Sequence, residues 1–232
     1  MVGGPWIRPP VFRREGIFLW LARIPVRIHY SFFLTALLLG SRRRSVGTLV
    51  VWIAVVLVAV LLHELGHALA ARSCRQWPRI DLHAMGGTTS WDVSGDLRWT
   101  QRAAISLAGP GIGFLAALLL LWIPGTSGPA RLPGLLDVAL HDFLWVTVGW
   151  GIFNLLPILP LDGGQTMETL LQRWLGTVRG RVASLYVSVG CAAVLALLAW
   201  TRGQVWISFL CALFAYESFE RLRGRRGLAT RS

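Results

Sequence analysis

The sequence predicts an all-α polytopic membrane protein, with about six transmembrane helices and one small membrane-associated β-hairpin. Three observations carry this expectation. Hydrophobic residues make up 54% of the 232 and charged residues only 15%, against roughly 45–50% and 25% in soluble domains. Several apolar runs approach or exceed the ~18–20 residues that cross a hydrocarbon core. The basic residues, 23 in number and all arginine, gather singly or in small groups beside those runs, as loop charges do in a bilayer protein. The lipid bilayer is therefore the expected surrounding of the chain.

The apolar runs place spans at about 28–41, 47–72, 103–123, 143–161, 182–201 and 205–219. Ahead of the first, "RIPVRIHY" alternates like a strand, which sets Arg27 and His29 at the membrane surface. Between the second and third, "RIDLHAMGGTTSWDV" alternates around Gly86-Gly87 and predicts a hairpin over about 79–93. With no sheet expected for it to join, its edge would be free to pair with another chain. In the third span the small residues of "AGPGIGFLAA" favour close helix packing in lipid, and Gly109-Pro110-Gly111 also favours a bend. No loop reaches the ~100 residues of a typical extra domain, so residues 1–232 are expected to form one domain.

With six spans, 18 of the arginines fall on the side of both termini and 5 on the other. Arginine excess is held in the cytoplasm, so a cell-membrane protein with both termini cytoplasmic is expected. Tryptophans such as Trp52, Trp122, Trp200 and Trp206 near one set of span ends suit an interfacial belt. The formal net charge of +12 would suit nucleic acid only if it formed a patch. Spread between apolar runs it does not, and no nucleic-acid partner is expected. Cys74, Cys191 and Cys211 show no C-x-x-C spacing, which argues against a disulfide framework or thiolate metal site. The start, "MVGGPWIRPPVFRREGIF", lacks the compact apolar region of a cleavable signal.

The chemistry lies in "HELGH", residues 63–67, inside the second span. His63 and His67 are one helical turn apart and face the same way, so that two imidazoles can grip one metal ion with Glu64 beside them. Ionisable groups inside a span cost about 2.5 kcal/mol or more unless something offsets them, which disfavours a chance pair of core histidines. A catalytic zinc takes three protein ligands and leaves a position open to water. For Asp81, Asp92, Asp96, Asp137, Asp142, Glu217 and Glu220, solvated surface roles suffice. Asp162 differs. It closes "NLLPILPLDGGQ", where two prolines and two glycines break regular helix near a membrane face, and irregular backbone at that depth lines a cavity or is buried in protein. A simple turn aspartate remains the alternative. His83, in the hairpin, has no partner at a diagnostic spacing and is expected to be a surface or packing residue.

Taken together, HELGH, "SLAGPGIG" at 106–113 and "NLLPILPLDGG" at 154–164 resemble the site-2 protease family of intramembrane zinc metalloproteases, over nearly the whole chain. The resemblance implies His63, His67 and Asp162 as ligands of one zinc ion per chain and Glu64 as the catalytic acid/base. It also implies that Asn154 handles substrate and that Gly86 and Gly87 match the Gly-Gly of the family's membrane-associated hairpin. The implied substrate is a single-span membrane protein, cut in or beside its transmembrane segment in regulated proteolysis. Many relatives carry PDZ or CBS domains. This chain has neither, so their contribution would be absent or come from a regulatory membrane partner. The alternative is a non-catalytic metal-binding membrane protein that holds transmembrane segments. Glu64 argues against it, because a structural zinc site fills its fourth position and needs no base.

Overall fold

The computed structural model describes residues 15–92, 96–122 and 134–229. Its elements run β1 (Ile17–Leu21), β2 (Ile24–Ile28), α1 (Tyr30–Leu39), α2 (Val46–Ser73), β3 (Trp77–His83) and β4 (Gly86–Asp92). They continue as α3 (Trp99–Leu121), α4 (Leu135–Asn154), α5 (Asp162–Leu175), α6 (Thr177–Thr201) and α7 (Val205–Ala229). Four helices, α2, α3, α4 and α6, are long and apolar enough to cross a membrane. Helix α1, with 10 residues, rises only about 15 Å, half a typical hydrocarbon core. In α7 the apolar run meets Glu217, Glu220, Arg221 and Arg223, and the helix continues well past the expected end at 219. The expected end of the third span, at 123, lies outside the described residues.

The chain divides into two compact units, one of residues 1–94 and 115–147, the other of 95–114 and 148–232. The first holds a four-stranded sheet in the order β1-β2-β3-β4. The predicted hairpin is there as β3 and β4, but the expectation that it has no sheet to join is overturned. Strand β3 pairs in parallel with β2, Val26 opposite Ile80 and Ile28 opposite Leu82. The reason is visible in the alternation of "IPVRI": Ile24, Val26 and Ile28 are all buried and fit beside buried Ile80 and Leu82. Burying such a side chain contributes about 1.5–3 kcal/mol, which sets this register. Arg27 is half-buried on the other face. Its guanidinium pairs with Asp81 of the neighbouring strand, Nε to Oδ1 at 2.9 Å. That hydrogen bond, above all, holds the Arg27 pKa above its usual value, against an opposing contribution from burial.

Strand β1 pairs with β2 through a turn in which Ala22 and Arg23 both have positive φ, 48° and 62°. Two such residues make the hairpin turn whose twist matches the strands, and Arg72 donates to the Ala22 carbonyl. His29 caps α1, its Nδ1 accepting from the Ser31 amide at 3.1 Å. Ser45 and Thr48 form a reciprocal capping box on α2. Helix α2 packs against β3 and β4, and the core gathers Phe32, Ala36, Trp52, Val56, Ala59, Val60 and Ala68 with the sheet residues.

Two side chains expected at the aqueous boundary of this unit are buried instead. Trp52 is 7% exposed and donates from Nε1 to the Ala36 carbonyl at 3.0 Å, with the Arg43 guanidinium over its ring. Asp142 is 5% exposed and pairs with Arg43.

In the second unit α5 packs on α6 and α6 on α7. Helix α5 was not expected. It turns into α6 at Gly176, φ 83°, and a Cβ at Gly180 would meet the Gln172 backbone nitrogen at 2.3 Å, so the two helices approach as only glycine permits. Arg181 Nε meets Glu168 at 3.0 Å across the same pair. Between α6 and α7, fully buried Ser188 and Ser218 share a hydrogen bond of 2.9 Å. The helix-packing reading of "AGPGIGFLAA" fails at Gly111, where an added Cβ would meet nothing within 4 Å. Pro110 is buried inside α3.

Candidate metal centre

Helix α2 carries His63, Glu64 and His67 at 5%, 4% and 6% exposure. The two imidazoles stand edge to face with centroids 4.8 Å apart, and their Nε2 atoms lie 3.2 Å apart. Two nitrogens held ~2.0–2.1 Å from one tetrahedral zinc are separated by about 3.3 Å. The i, i+4 spacing of the helix thus holds the two nitrogens at a separation that would suit one zinc ion.

Glu64 meets strand β4. Thr89 Oγ1 lies 2.7 Å from Glu64 Oε2 and 3.0 Å from the Glu64 carbonyl oxygen, its one hydrogen shared between the two acceptors. Gly87 lies under the same carboxylate: a Cβ there would come within 2.4 Å of Glu64 Cγ and 2.5 Å of Oε1. Gly86 has a φ of 115°, in the region glycine alone enters without strain. The Gly-Gly pair thus serves twice, Gly86 for the turn and Gly87 for the close approach of a strand to Glu64.

In the second unit, Asp162 is 7% exposed and begins α5. The preceding stretch is irregular, as expected, and includes a cis peptide before Pro160. Its folding is held by local amides: Ile158 N to Leu156 O at 2.8 Å, Leu161 N to Ile158 O at 2.8 Å, and Leu159 N to the Ser188 hydroxyl at 2.8 Å. Gly163 and Gly164 do not break a helix here; they form the first turn of α5. A Cβ at Gly163 would sit 2.1 Å from the Leu155 carbonyl oxygen, and one at Gly164 2.4 Å from the Ile158 carbonyl carbon. The pair is glycine because the 155–160 backbone lies directly against that turn. Asn154, the last residue of α4, is 8% exposed and donates from Nδ2 to the Trp150 carbonyl at 2.9 Å.

His63 and His67 in the first unit and Asp162 in the second are all buried. Two imidazoles and a carboxylate are a donor set suited to zinc.

Four of the other acids pair with arginines: Asp81 with Arg27, Asp142 with Arg43, Glu217 with Arg221 and Glu220 with Arg223. His83 staples the hairpin turn, with Nε2 3.0 Å from Thr88 Oγ1 and Nδ1 accepting from the Met85 amide at 3.2 Å. Sequence reasoning did not single out Thr89. The available signal was the alternation of β4, which places Thr89 on the opposite face from Thr88.

Residues 134–197 match the family model described as Peptidase family M50. A zinc metalloprotease of Methanocaldococcus jannaschii is 27% identical over 205 residues, covering 85% of this chain and 57% of the relative. A Synechocystis protein whose name marks it as a candidate zinc metalloprotease is 30% identical over 172 residues, covering 67% of this chain and 44% of the relative. The chain spans about half the length of these curated relatives. The solved structure of a site-2 protease from Methanocaldococcus jannaschii superposes with a TM-score of 0.64 at 22% identity, over 90% of this chain and 95% of that one.

Proposed function

We propose that the chain, whose residues 134–197 match the M50 peptidase model, belongs to that family and is an intramembrane zinc endopeptidase that cuts single-span membrane proteins in or near their transmembrane segment. The observation that carries this reading is the buried His63, Glu64 and His67 set on a helix long and apolar enough to cross a membrane. In this reading His63, His67 and Asp162 hold one zinc ion. Zinc, when bound, supplies a Lewis acid that makes a water more acidic and polarises the peptide carbonyl. Glu64 takes the proton of the attacking water and returns it to the leaving nitrogen. Being buried, it does this away from bulk solvent.

The substrate must present an extended peptide, because an amide within a helix is shielded by its own hydrogen bonds. Strand β4 is a sheet edge, and an unpaired edge accepts an added strand. The unwound substrate segment pairs there, close to Gly86 and Gly87, with Asn154 contributing to its placement. All 232 residues serve this one activity, in a cell membrane, with both termini cytoplasmic as the arginine distribution directs. Cleavage takes part in regulated proteolysis, with a separate membrane protein supplying the gating.

The test compares membrane proteomes of cells making the intact chain and its Glu64→Gln form. Single-span proteins should accumulate uncut in the variant. Identical proteomes from equal amounts of zinc-loaded protein would overturn the reading.

A further inference from the structure

Thr89 stands in contact with the one side chain that the proposed reaction needs as a base. Its hydroxyl lies 2.7 Å from Glu64 Oε2, the length of a strong hydrogen bond to an ionised acceptor. The same oxygen lies 3.0 Å from the Glu64 carbonyl oxygen, so Thr89 bridges the backbone and the carboxylate of one residue. Such a bridge restricts the χ angles of Glu64, a side chain that otherwise has several rotamers open to it. Gly87, two residues earlier on the same strand, leaves no room for a Cβ beneath Oε1 and Cγ. One carboxylate oxygen is thus tethered and the other lies against bare backbone.

From this geometry we infer that Thr89 is a positioning residue for Glu64: it holds the carboxylate in the one orientation from which it can exchange a proton with a water beside His63 and His67. The inference rests on the proteolytic reading and assigns β4 a second task, as the support of the base as well as an edge strand. Thr88, the next residue along, is exposed and bonded to His83 instead, so the assignment belongs to Thr89 alone of the two.

A base misplaced by about 1 Å costs on the order of 100-fold in rate. Thr89→Val keeps the shape and removes the hydroxyl, Thr89→Ser keeps the hydroxyl, and Thr88→Val is the control. For each, together with Glu64→Gln, three quantities are measured: zinc per chain by elemental analysis, melting temperature in detergent, and pulse-chase decay of the membrane proteins that accumulate in Glu64→Gln cells. The expected result is zinc content and melting temperature near wild type throughout. Decay should be slowed roughly 10- to 100-fold in Thr89→Val, mostly recovered in Thr89→Ser, and unchanged in Thr88→Val. Normal decay in Thr89→Val, equal loss in the Val and Ser variants, or loss of zinc in Thr89→Val would each overturn the positioning role while leaving Glu64 as the base. If no protein accumulates in Glu64→Gln cells, the proteolytic reading falls and this inference with it.

Discussion

Arg43 and Asp142 form an ion pair of 2.9 Å inside the first unit, with the aspartate side chain 7% and the arginine side chain 29% exposed. Arg43 also lies 4.4 Å from the centre of the Trp52 ring, so one guanidinium neutralises a buried acid and covers an aromatic face. The pair ties the segment between α1 and α2 to α4, far in sequence from HELGH. Removing one partner of a buried pair leaves an uncompensated charge, at about 3–5 kcal/mol. The partial exposure of Arg43 reduces that to roughly 1–3 kcal/mol. Arg43→Leu should therefore lower the melting temperature in detergent more than Arg43→Leu combined with Asp142→Leu does. A double variant as unstable as the sum of the two single ones would show that the charges are not coupled.

Purified protein should carry one zinc per chain. His63→Ala, His67→Ala and Asp162→Ala should each reduce that content strongly, and Glu64→Gln should keep it, since the glutamate is needed as a base and not as a ligand. Elemental analysis decides it. Full zinc in Asp162→Ala would remove the aspartate from the ligand set.

Gly163→Ala and Gly164→Ala should each lose zinc without touching a ligand. A methyl at either position meets the backbone of 155–160 at under 2.5 Å, and the stretch leading into Asp162 must shift. Gly190→Ala on α6, where an added Cβ meets nothing within 4 Å, is the matched control and should keep both zinc and melting temperature. Equal zinc in all three would mean that the loop yields without disturbing Asp162.

Orientation is open to direct measurement. In a chain freed of Cys74, Cys191 and Cys211, a single cysteine in place of Arg202 should react with an impermeant thiol reagent added to intact cells. Cysteines in place of Arg98 or Arg179 should not. The reverse pattern would invert the arginine-based topology.

Proline at Leu82 or Ala84 is not a clean probe of substrate pairing at the hairpin. Leu82 is fully buried on β3, an interior strand paired on both sides, and the Ala84 amide donates to Ser31 Oγ at 3.1 Å. Both prolines should lower the melting temperature along with any activity, because each removes a donor that the fold itself uses. Unchanged stability in either would contradict the sheet as described.

Much of the molecule was legible in its residues. Long apolar runs in a chain with 15% charge dictate helices that cross lipid, because only internal hydrogen bonds satisfy a backbone there. The i, i+4 spacing of the HELGH histidines dictates that their rings meet, because helical geometry alone brings their nitrogens together. Other features needed the tertiary structure. Strand β1 was hidden because its turn uses Ala22 and Arg23 at positive φ, where a sequence signal would show Asn or Gly. The parallel pairing of β2 with β3 joins residues more than fifty apart in sequence, and local alternation carries no information about which strand a neighbour will be. Helix α5 was masked by Gly163-Gly164, a pair that reads as a breaker locally and is required by the backbone packed against it. Asp142 looked like a surface acid because burial depends on Arg43, a partner no local pattern names. The bond from Thr89 to Glu64 follows the same logic: a strand and a helix distant in sequence meet only through packing, and packing is decided by the whole chain at once.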